Sequence, residues 1–540
     1  MSFRDPLSPA RPLKSGYDYV VVGSGSGGCA VTRRLVDAGA DVLLIEAGSS
    51  GIGVAAIDDP AQWVPLGRST YDWGYDYAPT AHVNGRTIGI PRGRVLGGSS
   101  AINAMMWYRG HPSDYDAWEA AGAKGWSFAD CLPYFRRCED WEEGESEWRG
   151  AGGPLRIGRE PYIHPVAQAL IDGAASLGIP VIDDPNGPDN EGAARANFNI
   201  SGGRRWSSAR GYLWPILDRT KLTILTDSLA VALVIDNGRC VAVRHIVGGE
   251  LRETRAHERV ILALGAIDTP RLLMLSGIGD PAGLARLGIP VVHSLPGVGR
   301  NLQDHPLAQA CVFRAKQPLG PVVGNGGGSM INWKSRPDLP QADLHAFPVQ
   351  GNSAEPAIRA RYDISGDVFS FGAGLMRSKS VGYLRLLEAK PGGALEIQPN
   401  FLSEPEDLEG MATAVEAVME MAAAPVNAHL FAGFAAPDRR LTRRETVGFV
   451  RDACSTFFHT CGTCRMGEDA EAAVDSRLSV HGLDGLMIAD ASVIPIIPTC
   501  NTHAPATMIG ERAADFALGM SGRAGMRFAF SAGCTMTGPE

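Results

Sequence analysis

The sequence predicts a mixed α/β (α+β) chain of two domains, one built on a largely parallel sheet with helices and one on an antiparallel sheet. Three observations lead there. A strand, glycine-rich turn, helix, strand and acid follow one another near the N-terminus, a second strand, turn and helix recur at residues 259–281, and 540 residues exceed the roughly 250–300 that one core usually holds.

The first unit is "YDYVVVGSGSGGCAVTRRLVDAGADVLLIEAG". Tyr19 to Val22 reads as a buried parallel strand. It runs into Gly23-Ser-Gly25-Ser-Gly27-Gly28, then into a helix with Val31 and Leu35 at i,i+4, closed by Gly39. A second apolar strand, Val42 to Ile45, ends at Glu46, 18 residues beyond Gly28. Gly23 allows the tight turn, Gly25 lets backbone approach a pyrophosphate, and Gly28 lets the helix lie close to the strand. The helix N-terminus stabilises phosphate charge, and Glu46 is placed to bond an adenosine ribose. The unit predicts dinucleotide binding and leaves NAD and FAD both open.

The next informative stretch, "GIPRGRVLGGSSAINAMMWYRG" (89–110), centres on Gly97-Gly98-Ser99-Ser100 and continues into Met105, Met106 and Trp107. Small residues permit close backbone approach, and the apolar ones that follow suit a wall packed against a flat aromatic ring. In "LTILTDSLAVALVI" (222–235) the β-branched alternation predicts a strand. "RVILALGAIDTPRLLMLSGIGDP" (259–281) reads as strand Val260 to Leu264, a Gly265-Ala266 turn, and a helix with Thr269 as N-cap and Pro270 at its first position. Further on, "GYLRL" and "ALEIQP" suggest strands of an antiparallel sheet, and "FAGFAAPDRRLTRRETVGFVRD" reads helical.

Composition excludes several classes. The chain is 45% hydrophobic and 20% charged with net charge -9 and pI about 5.8, and its Lys and Arg are scattered, so nothing favours nucleic acid or an anionic membrane surface. No apolar run reaches the roughly 18 residues of a membrane span. "MSFRDPLSPARPLKSG" shows no apolar leader core, which predicts a cytoplasmic location. Ten Cys in so long a chain predict buried, reduced thiols rather than a disulfide scaffold.

"HTCGTCRMG" (459–467) admits three readings on its own: half a zinc site, a redox dithiol, or a histidine acting alone. Zinc would need about two more ligands. Cys454 and His481 are candidates, but no second Cys-x-x-Cys exists.

Taken together, these segments resemble the glucose-methanol-choline family of flavin oxidoreductases. Residues 89–110 and 259–281 look like its two signature patterns. "LLIEAG" (43–48), "PGVGRNLQDH" (296–305), "HTCGTCRMG" and "IADASVIPIIPTCNTHAPATMIGERAAD" (488–515) follow in the family's order. The resemblance implies an FAD-binding dinucleotide fold and an antiparallel-sheet substrate domain. It places the first in residues 1–154, 201–304 and 455–540 and the second in 155–200 and 305–454.

It also implies FAD contacts at Gly23, Gly25, Ser26, Glu46 and Ala47, and at Trp73, Val95, Gly98, Asn103, Met105 and Met106. Ala230, Phe458, Asp490 and Ala491 complete the set. Ile102 stands where some members carry a histidine linked to FAD, so non-covalent FAD is expected. A helix starting near Pro505 is expected to aim its N-terminus at the flavin. His459 matches the family's catalytic base, and His503 is taken for the second position, which is His or Asn in the family. An alcohol yields a hydride only as its hydroxyl proton leaves, so a base must stand beside it. On this reading Cys461 and Cys464 are small buried thiols and no metal is expected.

The implied activity is oxidation of a primary alcohol, with aryl- and heteroaryl-methyl alcohols among the candidates, to the aldehyde, with hydride transfer to flavin N5. Trp107, Tyr108, Phe457 and Phe458 hint at an aromatic substrate. The expected partners are a small-molecule alcohol and oxygen or another electron acceptor. Alternatives are a flavin-containing lyase of the same family and a choline-type dehydrogenase with a non-oxygen acceptor. Choline-type members bind a quaternary ammonium with acidic and aromatic groups, and no such acid is placed by this sequence.

Overall fold

The structure is a computed structural model that describes residues 13–520. Most of the N-terminal stretch read above and the chain after Met520 lie outside the described residues. In chain order, strands β1 (Gly16–Val22) and β2 (Val42–Ile45) flank helix α1 (Ser26–Asp37). Strands β3 (Gly192–Arg195), β4 (Leu222–Leu225), β5 (Ser228–Asp236), β6 (Arg239–Val247) and β7 (Glu250–Leu262) then lead into helix α2 (Gly265–Leu275). There follow β8 (Pro306–Ala315), β9 (Ser329–Trp333), β10 (Leu344–Val349), β11 (Val368–Leu375), α3 (Pro405–Ala422) and β12 (Phe431–Ala436). Helix α4 (Arg443–Ala453), β13 (Cys454–Thr456), β14 (Leu486–Ile488) and helix α5 (His503–Ala517) complete the set used below.

Two seven-stranded sheets organise these elements. The first runs β4-β2-β1-β7-β6-β5, with β14 also beside β7. Its β4, β2, β1, the C-terminal half of β7 and β14 are parallel, which explains why Val20–Val22 and Val42–Ile45 are buried throughout. The N-terminal half of β7 instead pairs antiparallel with β6, and β6 with β5. The second sheet runs β12-β8-β11-β10-β9-β3, with β13 beside β8, and every pairing is antiparallel.

Helix α1 packs against α5 because two glycines leave room. A Cβ on Gly27 would stand 2.0 Å from the Ala489 carbonyl oxygen, and one on Gly510 would stand 2.3 Å from that of Gly27.

Several local expectations are corrected. Helix α2 starts at Gly265, not at Pro270. Thr269 does not cap it, because its hydroxyl donates to Asp490 Oδ2, and Asp490 also accepts the Gly265 amide. Pro270 withholds the amide that would reach the Ala266 carbonyl, and Thr463 Oγ1 donates to that oxygen at 2.6 Å instead. The stretch 222–235 is two strands, turned at Asp227 with φ +51°. Residues 431–452 are half strand: Phe431 and Phe434 pack on Phe313 of β8, and the helix begins only at the Thr442 and Glu445 capping box. "GYLRL" and "ALEIQP" do pair antiparallel, but as a separate two-stranded ribbon.

Candidate active site

One large cavity, about 480 Å³, is lined by segments of both sheets. Its floor is the glycine-rich turn between β1 and α1. Gly23 takes φ +96°, where a Cβ would stand 2.4 Å from the Ala263 carbonyl oxygen. Ser24 ties three motifs together: its amide and hydroxyl donate to Glu46 Oε2, and its hydroxyl oxygen accepts the Gly97 amide. The Gly97-Gly98 loop is thereby laid on the turn. Gly98, at φ +53°, lies so close that a Cβ would be 2.8 Å from Gly25 Cα. Burial pushes the Glu46 carboxyl above its usual range, against hydrogen bonds from Ser24 and Gly48.

Of the residues expected to meet FAD, Gly23, Gly25, Ser26, Glu46, Ala47, Trp73, Gly98, Asn103, Met105, Met106, Ala230, Phe458, Asp490 and Ala491 all border this cavity. Val95 does not. It is fully buried in a cluster with Ile57, Leu66, Ala101 and Ile102, so it supports the loop from behind. Phe457 and Phe458 face the cavity, whereas Trp107 and Tyr108 lie outside it.

Two helix starts in the cavity wall favour an anionic ligand. Helices α1 and α5 both point their first residues, Ser26 and His503, into it, and neither N-terminus is capped by a side chain. An uncapped helix start offers unpaired amides and partial positive charge to an anion. Ile102, also on the wall, offers no nucleophile for a covalent link.

At the junction of the two sheets, strand pairing brings the histidines together. Strand β13 lies against the start of β8, with Pro306 opposite Thr456. The next residues on each side are His305 and Phe457, and the Phe457 amide donates to the His305 carbonyl at 3.0 Å. His459 follows two residues later. Asp304 Oδ1 accepts the amides of both His305 and His459 at 2.8 Å, and its Oδ2 accepts hydroxyls of Tyr77 and Thr456. Between them Phe458 is held at φ +65°, an uncommon angle for an aromatic residue. Arg92 donates to its carbonyl, and its amide donates to Thr456 Oγ1.

His459 itself is 6% exposed and borders the cavity. Its Nδ1 is 2.9 Å from His305 Nδ1, its Nε2 is 3.0 Å from Asn501 Nδ2, and Phe457 stacks on its ring. An amide NH2 is only a donor, so His459 Nε2 accepts from Asn501 and the ring carries its proton on Nδ1, donated to His305. Burial, then the neighbouring His305, Arg92 and His345, hold His459 well below the usual histidine range. Both effects favour the neutral ring, and Nε2 is the nitrogen that faces Asn501.

The structure does not pair His503, which also borders the cavity, with this base. Its Nδ1 is taken up by Ser26 Oγ at 2.8 Å and its ring abuts Trp107 edge-on, while burial and then Arg205 lower it to about 4. Asn501 stands two residues upstream, before the helix begins. Sequence reasoning passed over Asn501, Asp304 and His305. The first is the asparagine that the resemblance allowed at the second position, and the other two close the quoted "NLQDH". Cys461 and Cys464 are fully buried, and burial raises both thiols well above their usual range.

The chain matches the family description GMC oxidoreductase twice, over residues 17–307 for the N-terminal part and 378–510 for the C-terminal part. It is 37% identical over 538 residues to the mitochondrial choline dehydrogenase of Homo sapiens, covering 93% of this chain and 90% of that one. It is 36% identical over 534 residues to the oxygen-dependent choline dehydrogenase of Brucella anthropi, with 93% and 95% covered. Its structure superposes on the crystal structure of pyridoxine 4-oxidase from Mesorbium loti with a TM-score of 0.88 and 32% identity, covering 92% of this chain and 98% of that one.

Proposed function

The chain belongs to the GMC oxidoreductase family and is an FAD-dependent enzyme acting on CH–OH donors, and from that premise we propose that it oxidises a primary aryl- or heteroaryl-methyl alcohol to the aldehyde with His459 as base. The observation that carries the reading is His459 Nε2, buried and beside Asn501 on the cavity wall. FAD, when bound, supplies the acceptor for the substrate's hydride.

The residues of this chain do the rest. His459 Nε2 takes the hydroxyl proton as the C–H bond weakens, and the charge that appears on its ring spreads toward His305 Nδ1. Asn501 releases Nε2 to the substrate and directs its amide to the substrate oxygen. The dipole of helix α5 favours negative charge at its first turn. Asp304 holds the base from behind by its backbone amide, so the ring keeps its aim. Phe347, Phe457 and Phe458 exclude water and give an aromatic ring faces to rest on.

We assign the cofactor to the segments 1–154, 201–304 and 455–540 and the wall over the substrate to 155–200 and 305–454, residues 1–12 and 521–540 lying outside the described residues. Ile102 supports non-covalent binding. Electrons leave to oxygen or another acceptor. Among the described residues no helix is long and apolar enough to cross a membrane, and the nine described cysteines are buried and unpaired, which supports a reducing, cytoplasmic setting. The matches are to dehydrogenases and oxidases, so the lyase alternative is set aside.

The test is an anaerobic titration of the yellow holoenzyme with benzyl alcohol, a pyridylmethanol and an aliphatic alcohol. The reading expects the ring-bearing alcohols to bleach the visible band. Bleaching by the aliphatic alcohol alone would refute the aromatic part.

A further inference from the structure

The distribution of charge around the cavity deepens this reading and rests on it. The carboxylates bordering the cavity are Glu46, Asp268 and Asp490. All three are committed: Glu46 to Ser24 and Gly48, Asp268 to Tyr75 and Arg271, and Asp490 to the start of helix α2. All three also lie on segments of the first sheet and its connections, where the dinucleotide is expected.

The wall supplied by the second sheet has no carboxylate. Phe347 and Val349, two apart on β10, face the cavity, and the chain runs on through Asn352 and Ser353 to Arg359. This wall begins at the base, since Phe347 meets Phe457 at 5.5 Å between ring centroids and Phe457 stacks on His459. At its far end, the Arg359 side chain is exposed and lines the cavity. Its Nε donates to the Ala354 carbonyl at 2.6 Å. Among the described residues no carboxylate pairs with its terminal nitrogens. Glu355, whose charge Arg359 feels, bonds Ser455 and does not border the cavity. Arg92 adds a second cation near His459: its guanidinium donates to the Pro91 and Phe458 carbonyls and to Thr460 Oγ1, and its charge is felt by the buried Asp304 behind the base.

We propose that this cavity takes an aromatic primary alcohol bearing an anionic ring oxygen, a carboxylate or phenolate, directed toward Arg359, and turns away quaternary ammonium alcohols such as choline. A quaternary ammonium has no N–H to donate and must be neutralised by a carboxylate or boxed by aromatic faces when it leaves water. Here it would meet two guanidinium groups and no available carboxylate, leaving the faces of Phe347, Phe457 and Phe458 to offset that repulsion alone. An anionic ring substituent meets the opposite situation, because a guanidinium presents a planar pair of donors to it.

The experiment compares anaerobic flavin reduction of the holoenzyme by 4-(hydroxymethyl)benzoate, benzyl alcohol and choline, as reduction rate over apparent dissociation constant. The expected order is the benzoate at least tenfold above benzyl alcohol, and choline at least a hundredfold below it. In Arg359→Gln the benzoate-to-benzyl-alcohol ratio should fall to within twofold, and in Arg359→Lys most of the preference should return. Raising the salt concentration should shrink the ratio in wild type and not in Arg359→Gln. Choline reducing the flavin as well as benzyl alcohol, or a ratio unchanged by Arg359→Gln, overturns this inference and leaves alcohol oxidation standing. Failure of all three to reduce the flavin overturns the oxidation reading and this inference with it.

Discussion

Nε2 of His459 lies 3.0 Å from Nδ2 of Asn501. With the Asn501 amide as donor Nε2 is the accepting nitrogen, and Nδ1 is left for the 2.9 Å contact to His305. His503, the residue whose type invites a pairing with His459, bonds Ser26 instead.

This separation predicts different outcomes for two substitutions. Asn501→Ala should lower the flavin-reduction rate roughly 10- to 100-fold, by removing the amide beside Nε2 while FAD stays bound. His503→Ala should act mainly on cofactor retention, because Ser26 opens helix α1. Released FAD and stopped-flow reduction, measured on both, separate the roles. Equal losses of reduction rate at full FAD occupancy would return His503 to the substrate contact.

Asp304→Asn tests the scaffold behind the base. The carboxylate accepts two backbone amides and two hydroxyls, and an amide can face only one side as acceptor. Each donor left without a partner costs about 1–3 kcal/mol when buried. A lower melting temperature and at least a tenfold loss in turnover, with the flavin still bound, are expected. Unchanged turnover would remove Asp304 from the account.

Gly98→Ala should reduce FAD occupancy. At φ +53° a side chain costs about 1–2 kcal/mol, and its Cβ would press on Gly25 at 2.8 Å. Absorbance of the purified variant against total protein reads the occupancy directly, and full occupancy would contradict the close packing of the two loops.

Acid stability carries a signed prediction. Burial lowers His305 and His345 to about 3, against an unfolded value near 6.5. The unfolded chain therefore gains protons first as pH falls, and each histidine withdraws stability from pH 6.5 downward until its folded value is reached. Burial raises Glu46, Asp268, Asp304 and Asp490, which acts in the opposite direction. A variant isolates the histidine part. His345→Gln should lose about 2 kcal/mol less than wild type between pH 7 and pH 5, measured by urea unfolding of the holoenzyme. Equal losses would mean that His345 is not held neutral.

The first sheet was legible in the sequence because its strands are continuous apolar runs joined by a glycine-rich turn, and β2 has the expected ends. Helix α2 was misplaced because Thr269-Pro270 carries the local signature of a helix start, and only the distant Asp490 and Thr463 show why the helix tolerates proline inside. The strand Phe431–Ala436 was hidden because its partners, such as Phe313, lie more than a hundred residues away. At the site, His459 was legible from its motif. Asn501 was not, since a choice by residue type favours His503, and two positions of backbone decide which side chain turns toward the base. His305 and Asp304 depend on the pairing of β8 with β13, a contact between residues some 150 apart.

The most direct test of the central claim is anaerobic reduction of the bound flavin by benzyl alcohol in wild type and His459→Ala, each loaded with FAD and showing the same visible spectrum before mixing. Loss of the general base is expected to slow bleaching by roughly 10²- to 10⁴-fold, with the cofactor still bound. Bleaching at the wild-type rate in the variant would contradict His459 as the base on which the account rests.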